Sequence, residues 1–359
     1  MFQFISVTFD EFPANTMSMP DIPSSSSSAA FEDFLRHAGL ISTDETPHFT
    51  ALTGGVSSDI WRVDLPGRQL CIKRALEKLK VADDWFAPIS RNVSEVAWLQ
   101  IAGNIVPGSA PEILADDSEN GMFAMQFIPP ERGRLWKDAL SAGEADLAFA
   151  AKTGRVLATI HAATAARPEL AARFATDSTF HAIRLEPYLE TAARRHPDVA
   201  APLNALVATT AATKLALVHG DISPKNIIIT DSGPMFLDAE CAWWGDPAFD
   251  LAFCLNHLLL KCLWVPKAAD AFLHCYQAMA DTYISTLPMA IANEVETRTA
   301  HLLPGLFLAR IDGKSPVEYI TDDGDKDRVR RVAKRLLNAP AARLSIVREA
   351  WASEIGVST

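Results

Sequence analysis

The sequence predicts an α+β protein of two lobes, a small antiparallel β-sheet lobe followed by a larger, mainly helical one. Three observations carry this prediction. The chain has 359 residues, and at roughly 100–200 residues per domain this length accommodates two lobes. Short alternating runs punctuated by turn residues crowd the stretch before Pro129, whereas helical spacing dominates after it. Hydrophobic residues make up 49% of the chain, ample for a buried core and too many for a wholly disordered polymer.

Taken in order, residues 1–30 read as a tail that ends in Pro23 and the run Ser24 to Ser28. Such a run buries too little apolar surface to offset its ordering entropy. Phe31 to Ala38 has the spacing of a short amphipathic helix. Ser58 to Leu65 alternates, with Trp61, Val63 and Leu65 on one face and Ile60, Arg62 and Asp64 on the other. Pro66-Gly67-Arg68 supplies turn chemistry. Gln69 to Arg74 then alternates again, Leu70 and Ile72 against Cys71 and Lys73, so the two runs form an antiparallel hairpin. A helix is expected over Arg91 to Ala102, and a buried strand over Met122 to Ile128, closed by Pro129-Pro130. That boundary divides the chain into an N-terminal lobe, 31–128, and a C-terminal lobe, 129–359. In the latter, Glu144 to Ala163 places Leu147, Ala150, Gly154, Leu157 and His161 on one helical stripe. Leu215 to Val218, Ile227 to Ile229 and Met235 to Leu237 read as three short strands, and helices resume at Ala248.

Charge narrows the function classes. Lys plus Arg is 33 against 44 for Asp plus Glu, a formal net charge of −11. This balance argues against nonspecific binding to nucleic acid or to anionic membrane, both of which need cations to neutralise phosphate. Five cysteines, odd in number and without a Cys-x-x-Cys pair, point to buried free thiols and a reducing, cytoplasmic setting. No apolar run reaches the roughly 20 residues that span a bilayer, and no signal-peptide pattern is visible. The expectation is a soluble intracellular protein, with room for a local basic pocket that takes one small anion.

The densest chemical signal is Val218-His219-Gly220-Asp221-Ile222-Ser223-Pro224-Lys225-Asn226, followed by Leu237-Asp238-Ala239-Glu240. Gly220 and Pro224 force a loop between apolar strands, so Asp221 and Asn226 project from a rigid edge, and Asp238 ends the next strand on that same edge. Two carboxylates and an amide make an oxygen-rich site suited to Mg²⁺ rather than to a soft metal. Asp221 is placed to take a proton from a hydroxyl.

This spacing resembles the catalytic loop of the protein-kinase-like superfamily, His-x-Asp-x4-Asn with a later metal-binding Asp. The His-Gly-Asp form, together with Gly245-Asp246-Pro247-Ala248-Phe249-Asp250-Leu251-Ala252, resembles the aminoglycoside phosphotransferase and choline kinase family. The resemblance implies a bilobal protein-kinase-like fold that uses ATP and Mg²⁺. It implies that Asp221 is the catalytic base and that Asn226 and Asp238 hold metal, with Glu240 either a further ligand or a residue lining the loop. It implies that Lys73 contacts the α- and β-phosphates and that Glu95 orients it. Gly54, Gly55 and Ser57 would form the turn over the phosphates, and the hinge strand, with Gln126 and Ile128, would meet adenine. Val81 to Trp85 and the Asp238-Ala239-Glu240 triplet are similar to features of methylthioribose kinases. For the acceptor, Trp243 and Trp244 are candidates either to wall a sugar or a cation or simply to pack, and Arg298 and Arg310 to complete its pocket. The expected activity is phosphorylation of a hydroxyl on a sugar, amino alcohol or aminoglycoside-like acceptor. A nucleotide-binding pseudokinase or regulator would share the fold; a protein kinase lacks support, since no His-Arg-Asp, Asp-Phe-Gly or Ala-Pro-Glu occurs.

Overall fold

The computed structural model describes residues 25–52, 57–78 and 88–357. Its N-terminal part is a five-stranded antiparallel sheet of β1 (His48–Ala51), β2 (Ser58–Leu65), β3 (Arg68–Ala75), β4 (Ile113–Asp117) and β5 (Met122–Gln126), in the order β1-β2-β3-β5-β4. The expected hairpin is present: Leu65 pairs with Arg68 and Trp61 with Ile72, leaving Pro66-Gly67 as a two-residue turn. Gly67 has φ +76°, the left-handed conformation that such turns favour glycine for.

The period-two pattern of β2 and β3 separates two apolar layers. Trp61, Val63, Leu65, Leu70 and Ile72 share one core cluster with Phe31, Phe34 and Leu35. Those three come from the helix Ser25–His37, which lies against the outer face of the sheet. The helix starts six residues before the expected Phe31, so part of the predicted serine tail is helical. Three docked apolar side chains anchor it, and adding turns to an anchored helix is easy compared with starting one. Residues 1–24, the rest of the predicted tail, lie outside the described residues. On the inner face Cys71 joins the main core with Val96 and Leu99 of the helix Arg91–Ile105, and Lys73 points the same way.

The C-terminal part holds β6 (Gly133–Leu135), β7 (Ala216–Val218), β8 (Ile227–Thr230), β9 (Gly233–Phe236) and β10 (Trp243–Gly245). They form a three-stranded sheet, β6-β8-β9, and an antiparallel pair, β7 with β10. Around them pack the helices Leu147–Ala165, Ala248–Trp264, Ala269–Thr286 and Met289–Asp312. The first is capped by Asp146, whose carboxylate accepts the Phe149 N–H at 3.0 Å. Gly154 on its stripe lets it approach the helix Ala269–Thr286 closely, since a β-carbon there would lie 2.3 Å from the Met279 carbonyl oxygen. All five cysteines are buried and free. Among the described residues no helix is long and apolar enough to cross a membrane.

Candidate active site

The loop between β7 and β8 is built around two backbone demands. Gly220 has φ +81°, and a β-carbon on it would fall 2.7 Å from Cys241 Cβ and 2.8 Å from the Cys241 carbonyl, so only glycine fits. Asp250, buried at the start of the helix Ala248–Trp264, accepts the N–H of His219 at 2.7 Å and of Gly220 at 2.8 Å. Its carboxylate is in turn held by His161 Nε2 at 3.1 Å. His219 is a structural residue here: Nδ1 accepts the Asp221 N–H and Nε2 donates to the Leu237 carbonyl, each at 3.1 Å. That pattern uses the neutral ring, and burial pushes its pKa below the ordinary value.

Asp221 is buried and ringed by donors. Asn226 Nδ2 donates to its Oδ2 at 2.9 Å, Arg184 Nη2 lies 3.0 Å away, and Lys225 Nζ 3.2 Å. Arg184 also donates to the Gly220 carbonyl. It sits in a ten-residue π-helix, His181–Glu190, which contains Pro187. Sequence reasoning missed Arg184, because no local motif marks a residue 36 positions upstream of its loop partner.

Lys73 from β3 reaches into the same region. Its ammonium contacts Glu95 at 2.7 Å and also pairs with Asp238. Burial pushes the Glu95 carboxyl up to about 7, with Lys73 acting against that rise. For Asp238 burial acts upward too, but Lys73 and Lys225 outweigh it and hold the carboxyl well below its usual range. Asp238 has φ +67°, a rare conformation outside glycine and one that accompanies functional constraint.

Glu240 spends one carboxylate oxygen on a buried arginine. Arg91 Nε meets its carboxylate at 2.9 Å, and the same guanidinium donates to the Ser57 and Leu76 carbonyls at 2.6 Å. Glu240 therefore balances a buried arginine, and Ser57 contributes a carbonyl to that bracket. Gly54 and Gly55, expected over the phosphates, lie outside the described residues, as does Val81 to Trp85. Gln126 ends β5 with its N–H on the Glu112 carbonyl at 2.8 Å. Ile128 follows and packs at Gly133, where a β-carbon would come within 2.8 Å of its Cγ2.

The metal ligands expected from the sequence meet a simple test. Asn226 spends its amide nitrogen on Asp221, and Asp238 spends one oxygen on Lys73. Each keeps an oxygen that accepts no hydrogen bond among the described residues. One carboxylate and one amide oxygen fit Mg²⁺, which takes few protein ligands and completes its shell with water and phosphate.

The acceptor residues fare differently. Trp243 is buried and stacked on Phe180 at 4.1 Å, its indole N–H donates to Asp177 at 3.1 Å, and Lys214 Nζ lies 4.1 Å from its ring centre. The chain's own side chains thus occupy the ring that was to wall a substrate. Trp244 is also buried, with its N–H on the Phe174 carbonyl at 3.0 Å. Arg298 braces Asp246 through bonds of 2.7 and 3.2 Å, and Asp246 accepts the Ala248 N–H at 3.0 Å. All three thus make contacts within the chain's own fold. Arg298 also borders an open recess with Asn293, Glu294 and Thr297, away from the Asp221 loop, whereas Arg310 lines a recess shared with Pro224 and Lys225 of that loop.

A strand lysine paired with a helix glutamate and with an Asp that follows a looped Asp and Asn defines a phosphotransferase of protein-kinase-like architecture. The chain belongs to the Phosphotransferase enzyme family (APH), which it matches over residues 48–283. Its fold is similar to that of an ethanolamine kinase from Plasmodium vivax, with 14% identity, 94% of each chain covered and a TM-score of 0.56. It is also similar to that of a choline kinase from Cryptosporidium parvum, with 13% identity, 87% of this chain and 96% of the other covered, and a TM-score of 0.53. No curated protein matches the sequence.

Proposed function

We propose that the chain transfers the γ-phosphate of ATP to a hydroxyl of a small-molecule acceptor, with Asp221 as the base. The observation that carries this reading is the Lys73 ammonium, fixed between Glu95 and Asp238 on the side of the molecule where Asp221 and Asn226 meet. Lys73 positions the phosphates as a point charge, and Glu95 fixes its direction. Asn226 and Asp238 would hold Mg²⁺, which would supply positive charge against the phosphates. Asp221 orients the acceptor hydroxyl and accepts its proton, while Arg184 and Asn226 hold the carboxylate in place. Most of the acceleration comes from alignment and from charge already in position.

Replacing Asp221 by Ala tests the assignment. ADP release on an accepted hydroxyl compound should fall by about 10²–10⁴, while Mg-nucleotide binding persists. Phosphorylation at the wild-type rate would show that Asp221 is not the base.

A further inference from the structure

Next to the Asp221 loop the helical lobe contains a recess lined by Lys137, Pro224, Lys225, His257, Lys261, Arg310, Glu318 and Tyr319. Its charge is one-sided: four cationic side chains and a histidine face a single carboxylate, and Glu318 is already paired with Lys137. Lys225 connects the recess to the chemistry, because its ammonium also sits 3.2 Å from Asp221 Oδ2.

The donors here lack acceptors. Lys261 is 1% exposed and, among the described residues, has no carboxylate or hydrogen-bonding partner. Only ring faces meet its ammonium, Trp264 at 4.1 Å and Tyr319 at 4.6 Å. Arg310 is 8% exposed. It spends Nη1 on Ser315 and, at 3.3 Å, on the Tyr188 hydroxyl, yet its Nε is buried without a partner, as is the Tyr319 hydroxyl. Buried cations and donors left unmatched are costly, and what would complete all three is an oxyanion. The cavity, about 50 Å³, holds a few waters' worth of volume. That is room for one carboxylate or phosphoryl group, and too little for a triphosphate. None of Lys73, Glu95 and Asp238 lines it.

We infer that the acceptor carries an anionic group, a carboxylate or a phosphoryl group, and that Lys261 and Arg310 hold it in this recess while its hydroxyl meets Asp221. The inference rests on the phosphotransfer reading above for the reaction, and on the recess for the charge. It excludes a quaternary ammonium acceptor from this position, since a cation would enter among Lys137, Lys225, Lys261 and Arg310.

Burial, with repulsion from Lys137, pulls Lys261 down to about 7, while Glu318 and Asp138 act against that fall. His257 is held well below its ordinary value by burial and by Arg310, Lys261, Lys225 and Lys137. Near neutral pH an arriving anion therefore brings a proton onto Lys261.

The test is calorimetric titration of the full chain with four probes: glycerate, glycerol 3-phosphate, glycerol and choline. At least one anion should bind, more tightly than glycerol or choline, with net proton uptake when two buffers of different ionisation enthalpy are compared near pH 7. Lys261→Met should weaken anion binding about tenfold or more, and Lys261→Arg should restore it. Lys261→Met removes a buried, unmatched cation, so its melting temperature should hold or rise, which separates lost binding from unfolding. Binding of glycerol or choline as tightly as the anions, no binding of either anion, or anion binding by Lys261→Met within about twofold of wild type would overturn the inference. ADP release distinguishes the two readings. Turnover of choline or glycerol that is unchanged in Lys261→Met overturns the anionic acceptor and leaves phosphotransfer standing. Anion binding that needs Lys261 but yields no ADP with any acceptor overturns phosphotransfer alone.

Discussion

Gly220 shows how much of the site depends on one missing β-carbon. Its φ of +81° and the Cys241 carbonyl 2.8 Å from the would-be Cβ penalise any side chain twice, through backbone strain and through collision. Gly220→Ala should cost ~1–3 kcal/mol for the backbone conformation alone, seen as a lower urea midpoint, and should shift the amides that Asp250 holds. A midpoint equal to wild type would show that the loop does not need the left-handed conformation. Asp221, Asn226 and Asp238 could be read from the sequence because one loop and one strand end carry them at short, fixed separations. Arg91 could not, because its partner Glu240 lies 149 residues away and nothing local to either residue announces the pair. The tryptophans stayed open between two readings for a related reason. Adjacent aromatics look the same in a sequence whether they face a ligand or, like Trp243, face Phe180 and a lysine of the same chain.

Among the elements, those with a repeating pattern were legible and those defined by a partner were not. The β2–β3 hairpin combines two alternating runs with a turn, and its register follows from them. β10 is three residues long and exists because it pairs with β7, Trp243 opposite Val218; three residues offer no period to detect. The π-helix His181–Glu190 is likewise set by its surroundings, with Pro187 inside it. The helix Ser25–His37 lies between these cases. Its apolar anchors were visible, but its serine start was not, because serine on its own favours turns and caps. The consequence is testable. Phe31 is fully buried, lies 5.9 Å from Phe49 and carries the Arg74 guanidinium 5.0 Å over its ring. Phe31→Ala should therefore destabilise the chain by about 3–5 kcal/mol in urea unfolding. A loss below about 1 kcal/mol, the level of a surface substitution, would mean that the helix does not dock on the sheet in solution.

Across the whole molecule, two ion pairs connect the sheet lobe to the helical lobe, a part-buried one of Lys73 with Asp238 and a buried one of Arg91 with Glu240. The Lys73–Asp238 pair also couples the relative placement of the lobes to a protonation state. For Asp238 the sign follows from linkage. Its folded carboxyl is held below the ordinary value, chiefly by Lys73 against the upward pull of burial. The folded state therefore binds this proton less readily than the unfolded chain does. Its contribution is fully present above the unfolded carboxylate pKa, about 3.9, and is lost as pH falls through the lower folded value. Asp238→Asn removes the charge at every pH. Glu95, which Asp238 helps to raise to about 7, titrates at higher pH; the share that belongs to Asp238 itself should shrink the stability gap between wild type and this variant below about pH 4. Urea unfolding of both proteins at a series of pH values measures it. A gap that stays constant to the lowest pH at which the protein folds would mean that Asp238 carries no depressed pKa, and that Lys73 does not join the lobes through this pair.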